Sequence, residues 1–341
     1  EVSPRILKLT YTPLHGAGLV PVTTVLEMDG FESIDIVEEQ KLPDGDFTTC
    51  PYPNPEIKEA MQLGIDLMLK NGNDVSIATD PDSDRAGVAV NHRGVPIILT
   101  GNEIGILLFD FIYQARIQEN KMPENAIVVK TIVSSDLINL MAAKYNVKVV
   151  DVLTGFKYIG EQIHLLEEIN HVERFLLGFE ESCGYLTNSA VRDKDAVNAM
   201  LLIAEMTNFY KHKGITLVDR LNELYDEFGD YKTVTLNFEF PGIDGKEKMA
   251  AIMTKFRQPE IQNKLGFVDH IGDYKKQKLI FKDHDEDTGL PSSDVIKIFL
   301  ADAETITIRP SGTEPKVKAY IFAHGVNRLE ELRAKIDSLM K

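Results

Sequence analysis

A chain of 341 residues is too long for one ordinary hydrophobic core and predicts two or three domains. Its net charge of −16, from 37 basic against 53 acidic residues, argues against nucleic acid or an anionic membrane as partner. Two cysteines, Cys50 and Cys183, exclude a disulfide scaffold and fit a reducing cytoplasm, and no apolar run approaches the length of a membrane span or a secretory leader.

Strand-like and helix-like stretches alternate through the first two thirds. Ile6 to Tyr11 reads as a strand ending in the turn Thr12-Pro13-Leu14-His15-Gly16-Ala17-Gly18, and a helix follows from Leu19. A second strand falls at Ile34 to Val37, and a helix runs from Pro55 to Lys70 with Gly72 placed to stop it. Val75 to Thr79 and Gly87 to Val90 are short buried strands, and Gly94 to Gly101 reads as a connector. The next block repeats the alternation: helix at Ile104 to Ile117, strand at Ala126 to Lys130, helix at Asp136 to Lys144, strand at Lys148 to Leu153, helix at Ile159 to Ile169, strand at Phe175 to Phe179, and a long helix from Asp195 to Lys211. Such alternation implies sheets covered by helices. From Thr233 the pattern changes to period two, with Val234, Leu236, Phe238 and Phe240 on one face. A helix at Lys246 to Phe256, strands at Val295 to Leu300, Thr305 to Ile308 and Val317 to Phe322, and a helix at Arg328 to Met340 make this an α+β domain with an antiparallel sheet. The expected fold is two α/β domains, residues 1–98 and 99–228, followed by a small α+β domain, residues 229–341.

Four loops carry candidate chemistry. Asp80-Pro81-Asp82-Ser83-Asp84-Arg85 follows a strand and crowds three carboxylates into five residues, whose repulsion a hard cation such as Mg²⁺ relieves. A solvated acidic turn is the plain alternative. An EF-hand would need Gly at Arg85 and Glu at Asn91, and a haloacid-dehalogenase-like phosphatase would need Asp-x-Asp-Gly-Thr. Arg309-Pro310-Ser311-Gly312-Thr313-Glu314-Pro315-Lys316 lies between two strands and offers hydroxyls, Gly-exposed N–H groups and a guanidinium to a phosphate. It lacks the Gly-Lys-Ser/Thr ending of a P-loop, and an incidental hairpin turn is its alternative. Gly178-Phe179-Glu180-Glu181-Ser182-Cys183-Gly184-Tyr185 sets paired carboxylates beside a hydroxyl, suited to sugar hydroxyls or to acid–base work, although two adjacent Glu are usually just solvated. Cys183 reads more plainly as a small buried thiol than as a nucleophile. Thr154-Gly155-Phe156-Lys157 and Arg192-Asp193-Lys194-Asp195 each put a Lys before a helix, where an anion is favoured but a capped surface turn is equally ordinary. His15, in its Gly-rich turn, reads as structural.

In this order the four motifs Thr12–Gly18, Asp80–Arg85, Gly178–Ser182 and Arg309–Thr313 resemble the α-D-phosphohexomutase superfamily over essentially the whole chain, and most of all its bacterial phosphoglucomutase/phosphomannomutase branch. The resemblance implies the family's second, third and fourth domains. It also implies that Asp80, Asp82 and Asp84 hold Mg²⁺ with Arg85 beside them, and that Glu180 and Ser182 grip sugar hydroxyls. Arg309, Ser311, Gly312 and Thr313 would bind the phosphate that is not transferred, and Lys194 and Lys157 would contact substrate or move a proton. The activity it implies is interconversion of glucose 1-phosphate and glucose 6-phosphate through a phosphoserine and glucose 1,6-bisphosphate. Phosphomannomutase, phosphopentomutase and a non-catalytic sugar-phosphate-binding protein are the alternatives. The family's phosphoserine stands in a Ser-His-Asn-Pro-like loop of its first domain, and no such loop occurs in these residues. With Glu1-Val2-Ser3-Pro4 at the start in place of an initiator Met, the expectation is a piece of a longer polypeptide, missing its N-terminal domain and inactive alone.

Overall fold

The chain folds first into β1 (Leu9–Thr12), α1 (Leu19–Met28), β2 (Ile34–Ile36), α2 (Lys58–Asn71), β3 (Val75–Thr79), β4 (Ala86–His92) and β5 (Val95–Leu99). In this computed structural model, which describes residues 4–312 and 314–340, these strands form one sheet in the order β2-β1-β3-β4-β5. β1 runs parallel to β2 and β3, while β4 and β5 are antiparallel additions. All five residues of β3 are buried, as expected of a central strand covered on both faces. Gly72 ends α2 at φ 66, the left-handed stop the sequence suggests.

A second sheet follows the same plan. Its elements are α3 (Gly101–Gln118), β6 (Ile127–Thr131), α4 (Leu137–Tyr145), β7 (Lys148–Val152), α5 (Phe156–Glu168), β8 (Phe175–Glu180), β9 (Gly184–Leu186), α6 (Ala196–His212) and α7 (Leu217–Phe228). The order is β7-β6-β8-β9, with β6 parallel to its two neighbours and β9 antiparallel to β8. In both sheets the first strand lies between the second and the third, and the link from the third strand to the antiparallel fourth carries a carboxylate-rich loop.

The last block is β10 (Tyr231–Glu239), α8 (Gly245–Phe256), α9 (Pro259–Gln262), β11 (Val268–Asp273), β12 (Lys278–Ile280), β13 (Asp285–Asp287), β14 (Ile296–Leu300), β15 (Thr305–Pro310), β16 (Lys316–His324) and α10 (Gly325–Met340). Its seven strands form one antiparallel sheet, β10-β16-β15-β14-β11-β12-β13. Met253 and Phe256 of α8 and Leu332 and Ile336 of α10 bury against Ile298, Ile306 and Ile321 of the strands. Val234, Leu236, Phe238 and Phe240 pack on this core as their period predicts. The molecule divides into two compact units, Glu1–Ser134 with Ile138–Glu227, and Ser135–Leu137 with Phe228–Lys341.

Some elements differ from the sequence reading. The stretch read as a connector is strand β5. Arg93 and Gly94, at φ 55 and 88, make a two-residue hairpin, and Pro96 is tolerated because β5 is an edge strand. Helix α7 is not in the sequence reading, although Leu217, Leu221, Leu224 and Tyr225 form its buried stripe. Strands β11 to β13 also escape it, and Asp285–Asp287 are wholly exposed with no apolar alternation to betray them.

One buried ion pair ties four helices of the first unit. Asp110 of α3 accepts from Arg220 Nε and Nη2 of α7, each at 2.9 Å, from the Tyr145 hydroxyl at the end of α4 at 2.8 Å, and from the Tyr210 hydroxyl of α6 at 2.9 Å. The carboxylate is fully buried and these donors answer its charge. Removing the guanidinium leaves it uncompensated. Arg220→Met is expected to destabilise the first unit by about 3–5 kcal/mol, read as a shift in its urea unfolding midpoint, whereas a loss below about 1 kcal/mol would mean the pair is dispensable.

Candidate functional site

β3 delivers Asp80 to the head of the first carboxylate loop. Asp80 Oδ1 accepts from the backbone N–H of Asp84 at 3.0 Å and of Arg85 at 2.9 Å, and the Ser83 N–H returns to the Asp80 carbonyl at 3.0 Å. Ser83 adopts φ 61 to close this turn. The result gathers one oxygen each from Asp80, Asp82 and Asp84 within 4.8 Å of one another, with Asp80 buried, Asp84 half-buried and Asp82 exposed. Arg85 Nε stands back, 3.7 Å from Asp80 and 3.9 Å from Asp84. Burial pushes the Asp80 carboxyl up to about 7; its Arg85 N–H bond opposes this and the Asp84 and Asp82 charges add to it. Ser83 Oγ is buried with no hydrogen-bond partner among the described residues. An all-oxygen donor set under mutual repulsion fits a hard divalent cation such as Mg²⁺.

The second carboxylate loop meets the first. β8 ends in Glu180, 7% exposed, whose Oε1 accepts from the Gly155 N–H at 3.0 Å. Gly155 sits at φ 122, which a side chain rarely adopts. Burial raises the Glu180 pKa against the pull of Lys194, the Gly155 N–H and Arg85. Arg85 forms an isolated antiparallel bridge with Gly184, the Ala86 N–H donates to the Cys183 carbonyl at 2.9 Å, and the Ala196 N–H donates to the Ser83 carbonyl at 3.3 Å. Lys194 lies across Gly184, where a Cβ would stand 2.4 Å from its Cδ. Its Nζ reaches Asp84 Oδ2 at 3.0 Å and Asp193 Oδ1 at 3.1 Å. Burial opposes the Lys194 charge, but these two bonds outweigh it and hold the pKa above its ordinary value. Lys194 is thus bonded to the Asp80–Arg85 loop through Asp84, and Glu180 joins the same locality through the backbone pairing of Gly184 with both Glu180 and Arg85.

The remaining sequence candidates fall elsewhere. Ser182 is half-buried at the tip of the loop after β8. Lys157 is exposed in the first turn of α5, its Nζ 4.9 Å from the Tyr158 ring. Its neighbour Phe156 takes the inward position and stands 5.5 Å from Lys194 Nζ. Cys183 is 2% exposed and burial raises its thiol pKa strongly, in keeping with a small buried thiol. A pairing outside the site candidates joins Thr131, at the end of β6, to Glu181 Oε2 at 3.4 Å and to the Ser134 hydroxyl at 2.9 Å. Only the hydroxyl at a strand terminus marked it in the sequence.

Arg309, Ser311 and Gly312 belong to the second unit. Arg309 stands in β15 opposite Lys318 of β16. The hairpin closes through the Ser311 N–H to the Lys316 carbonyl at 2.8 Å, and the Glu314 N–H donates to Ser311 Oγ at 3.3 Å. A Cβ on Gly312 would meet nothing within 4 Å, so its backbone faces open space. Thr313 lies outside the described residues.

Three family models match in series: phosphoglucomutase/phosphomannomutase α/β/α domain II over residues 1–94, domain III over residues 100–228 and the C-terminal domain over residues 246–339. The chain belongs to the phosphoglucomutase/phosphomannomutase family. It is 35% identical over 338 residues to a phosphoglucomutase of Staphylococcus aureus (strain USA300), a match covering 98% of this chain and 60% of that protein. The chain therefore spans about three fifths of the length of the curated relatives it matches. Among solved structures, a phosphoglucomutase/phosphomannomutase family protein of Burkholderia thailandensis superimposes with a TM-score of 0.69 at 15% identity, covering 98% of this chain and 60% of that one. The N-acetylphosphoglucosamine mutase of Aspergillus fumigatus, in complex with GlcNAc-6P and magnesium, does so at 0.54 and 15%, covering 98% and 66%. At these identities the likeness concerns the family's fold: two α/β domains and a small α+β domain.

The raised pKa of Asp80 sets a pH dependence. In the metal-free chain its folded pKa of about 7 lies above the ordinary 3.8, so a proton favours the folded state. That contribution is complete below about pH 4 and lost as pH rises through about 7. The metal-free unfolding temperature is expected to fall across this window, and Asp80→Asn to flatten the fall. An equal slope in the variant would remove Asp80 as its source.

Proposed function

We propose that the chain is the metal-, sugar- and phosphate-binding portion of a phosphoglucomutase. The observation that carries this reading is that Lys194 bonds to Asp84 of the Asp80–Arg85 loop while the loop that begins at Glu180 is spliced to Arg85 through Gly184. Family membership and 35% identity to the staphylococcal phosphoglucomutase support the choice of reaction and of glucose phosphates. The three domains we propose are residues 1–98, 99–228 and 229–341. No helix among the described residues is long and apolar enough to cross a membrane. We propose a cytoplasmic site of action, which the two free, buried cysteines support.

Asp80, Asp82 and Asp84 would hold Mg²⁺, as the magnesium in the Aspergillus relative suggests. The bound ion supplies charge neutralisation at a phosphoryl oxygen. Lys194 keeps its proton at neutral pH, so it fits a donor to a sugar or phosphoryl oxygen and not a general base. Its bond to Asp84 fixes the ammonium beside the carboxylate cluster. Glu180, oriented by the Gly155 N–H, would accept hydrogen bonds from sugar hydroxyls, with Ser182 beside it. Arg85 adds a second positive charge at the junction of the two loops. Arg309, Ser311, Gly312 and Thr313 would bind the phosphate that stays on the sugar. Lys157, being exposed, could act only by moving toward a bound substrate. The phosphate carrier would be a phosphoserine of an N-terminal domain outside these 341 residues, in the same polypeptide.

This reading separates binding from turnover. With Mg²⁺ present, glucose 1,6-bisphosphate should shift backbone-amide resonances of residues 178–185 and 309–316, while the chain converts glucose 1-phosphate no faster than background. Arg309→Ala should remove most of the shift in the hairpin, because the guanidinium gives the strongest single contact to phosphate. Shifts that avoid both loops, or that persist in the variant, would refute the assignment. Turnover abolished by a point change within the chain would refute the proposal that the serine lies outside it.

A further inference from the structure

The turn after β1 has no part in the proposed chemistry, yet it is densely hydrogen-bonded beside the cluster. His15 stands at its centre, 7% exposed. Nδ1 lies 3.1 Å from the Leu42 carbonyl and Nε2 lies 2.7 Å from Thr49 Oγ1. A carbonyl only accepts, so Nδ1 carries a proton, and in the neutral ring Nε2 accepts from the Thr49 hydroxyl. The His15 N–H donates to the Gln40 carbonyl at 2.9 Å, and the Asp44 N–H donates to the His15 carbonyl at 3.4 Å. Thr12 Oγ1 donates to Gln40 Oε1 at 2.7 Å and accepts from the Leu14 N–H at 3.1 Å. Leu14 and His15 both occupy the left-handed region, at φ 47 and 63, a pair of costs that persists only where the surroundings enforce it. The bracing segment is itself tied down, since Asp44 accepts from the Asp46 and Thr48 N–H groups and the Thr48 hydroxyl.

The other side of the same turn bears on the carboxylate loop. A Cβ on Gly16 would stand 2.3 Å from Pro81 Cα, and the Ala17 N–H donates to the Pro81 carbonyl at 2.8 Å. A Cβ on Gly18 would stand 2.8 Å from Ser83 Oγ. Backbone therefore touches backbone at Pro81, between Asp80 and Asp82, with no side chain to absorb a displacement.

We propose that His15 is a positioning residue for the carboxylate loop. Its ring locks the turn to residues 40–49, and Gly16 and Ala17 transmit that position to Pro81 and so to Asp80 and Asp82. The consequence for cation affinity rests on the reading of Asp80, Asp82 and Asp84 as a cation site; the consequence for loop order does not.

The test compares the 341-residue chain with His15→Gly and His15→Asn. Glycine removes the ring but accepts the left-handed backbone, and asparagine accepts it too while placing an amide N–H where Nδ1 stood. One readout is Mn²⁺ affinity by electron paramagnetic resonance. The other is hydrogen exchange at the Asp84 and Arg85 amides, which bond to Asp80 Oδ1, against Ile77 and Val88 within β3 and β4. His15→Gly should weaken Mn²⁺ about 10-fold or more and speed exchange at Asp84 and Arg85 while leaving Ile77 and Val88 unchanged. His15→Asn should restore most of both. A merely structural role would speed all four amides together and is ruled against by selective loss. Exchange at Asp84 and Arg85 unchanged in His15→Gly, or an Asn variant no better than Gly, overturns the proposal. Mn²⁺ binding insensitive to Asp82→Ala would overturn the cation reading instead, and the exchange readout would still decide for His15. If His15→Gly does not fold, Thr49→Val removes only the partner of Nε2, and unchanged exchange there overturns the proposal equally.

Discussion

One oxygen from each of Asp80, Asp82 and Asp84 lies within 4.8 Å of the others, and at Asp80 burial adds to the mutual repulsion of the group. Much of the first unit is arranged to keep them there. The fold positions the group by backbone contacts: two N–H groups on Asp80 Oδ1, a left-handed Ser83, and a glycine turn pressed against Pro81. Against these three carboxylates stand two cations, Arg85 at 3.7 Å from Asp80 and 3.9 Å from Asp84, and Lys194, which divides its bonds between Asp84 and Asp193. The charge imbalance is thus built in, which is the expected state of a site prepared for a metal and an anionic substrate.

The repeated sheet plan explains how the sugar-binding candidate comes to share this site. In each sheet the third strand is parallel and the fourth antiparallel, so the chain must turn back at the strand's C-terminal end. That reversal is Asp80–Arg85 in the first sheet and the short link from Glu180 to Gly184 in the second. The Arg85–Gly184 bridge and the Ala86-to-Cys183 hydrogen bond splice the two reversals. Both need left-handed non-glycine residues, Ser83 and Cys183, each at φ 61. Gly184 is bare so that Lys194 can cross it, and Gly101 is bare because the Glu181 carbonyl lies 2.1 Å from where its Cβ would be.

Much of this was legible in the sequence, for identifiable reasons. Buried strands such as Val75–Thr79 and helices ending at glycine announce themselves through local composition. The loops were legible because their chemistry is concentrated in five or six consecutive residues. What the sequence hid was long-range: which Lys joins the carboxylates depends on Phe156 taking the inward position of α5 and leaving Lys157 to solvent. The bond of Thr131 to Glu181 is hidden in the same way, since it pairs the ends of two strands. β5 was obscured by Pro96, which is permitted only because the strand is an edge, a fact of topology and not of local pattern.

The central claim is that Asp80, Asp82 and Asp84 form a divalent-cation site in this chain. Crystals soaked in Mn²⁺ and measured at an energy where manganese scatters anomalously would locate it directly. The account predicts one dominant peak among the oxygens of these three carboxylates, lost in Asp82→Ala crystals. Manganese bound elsewhere with no peak at this loop, or a peak unchanged in the variant, would contradict it.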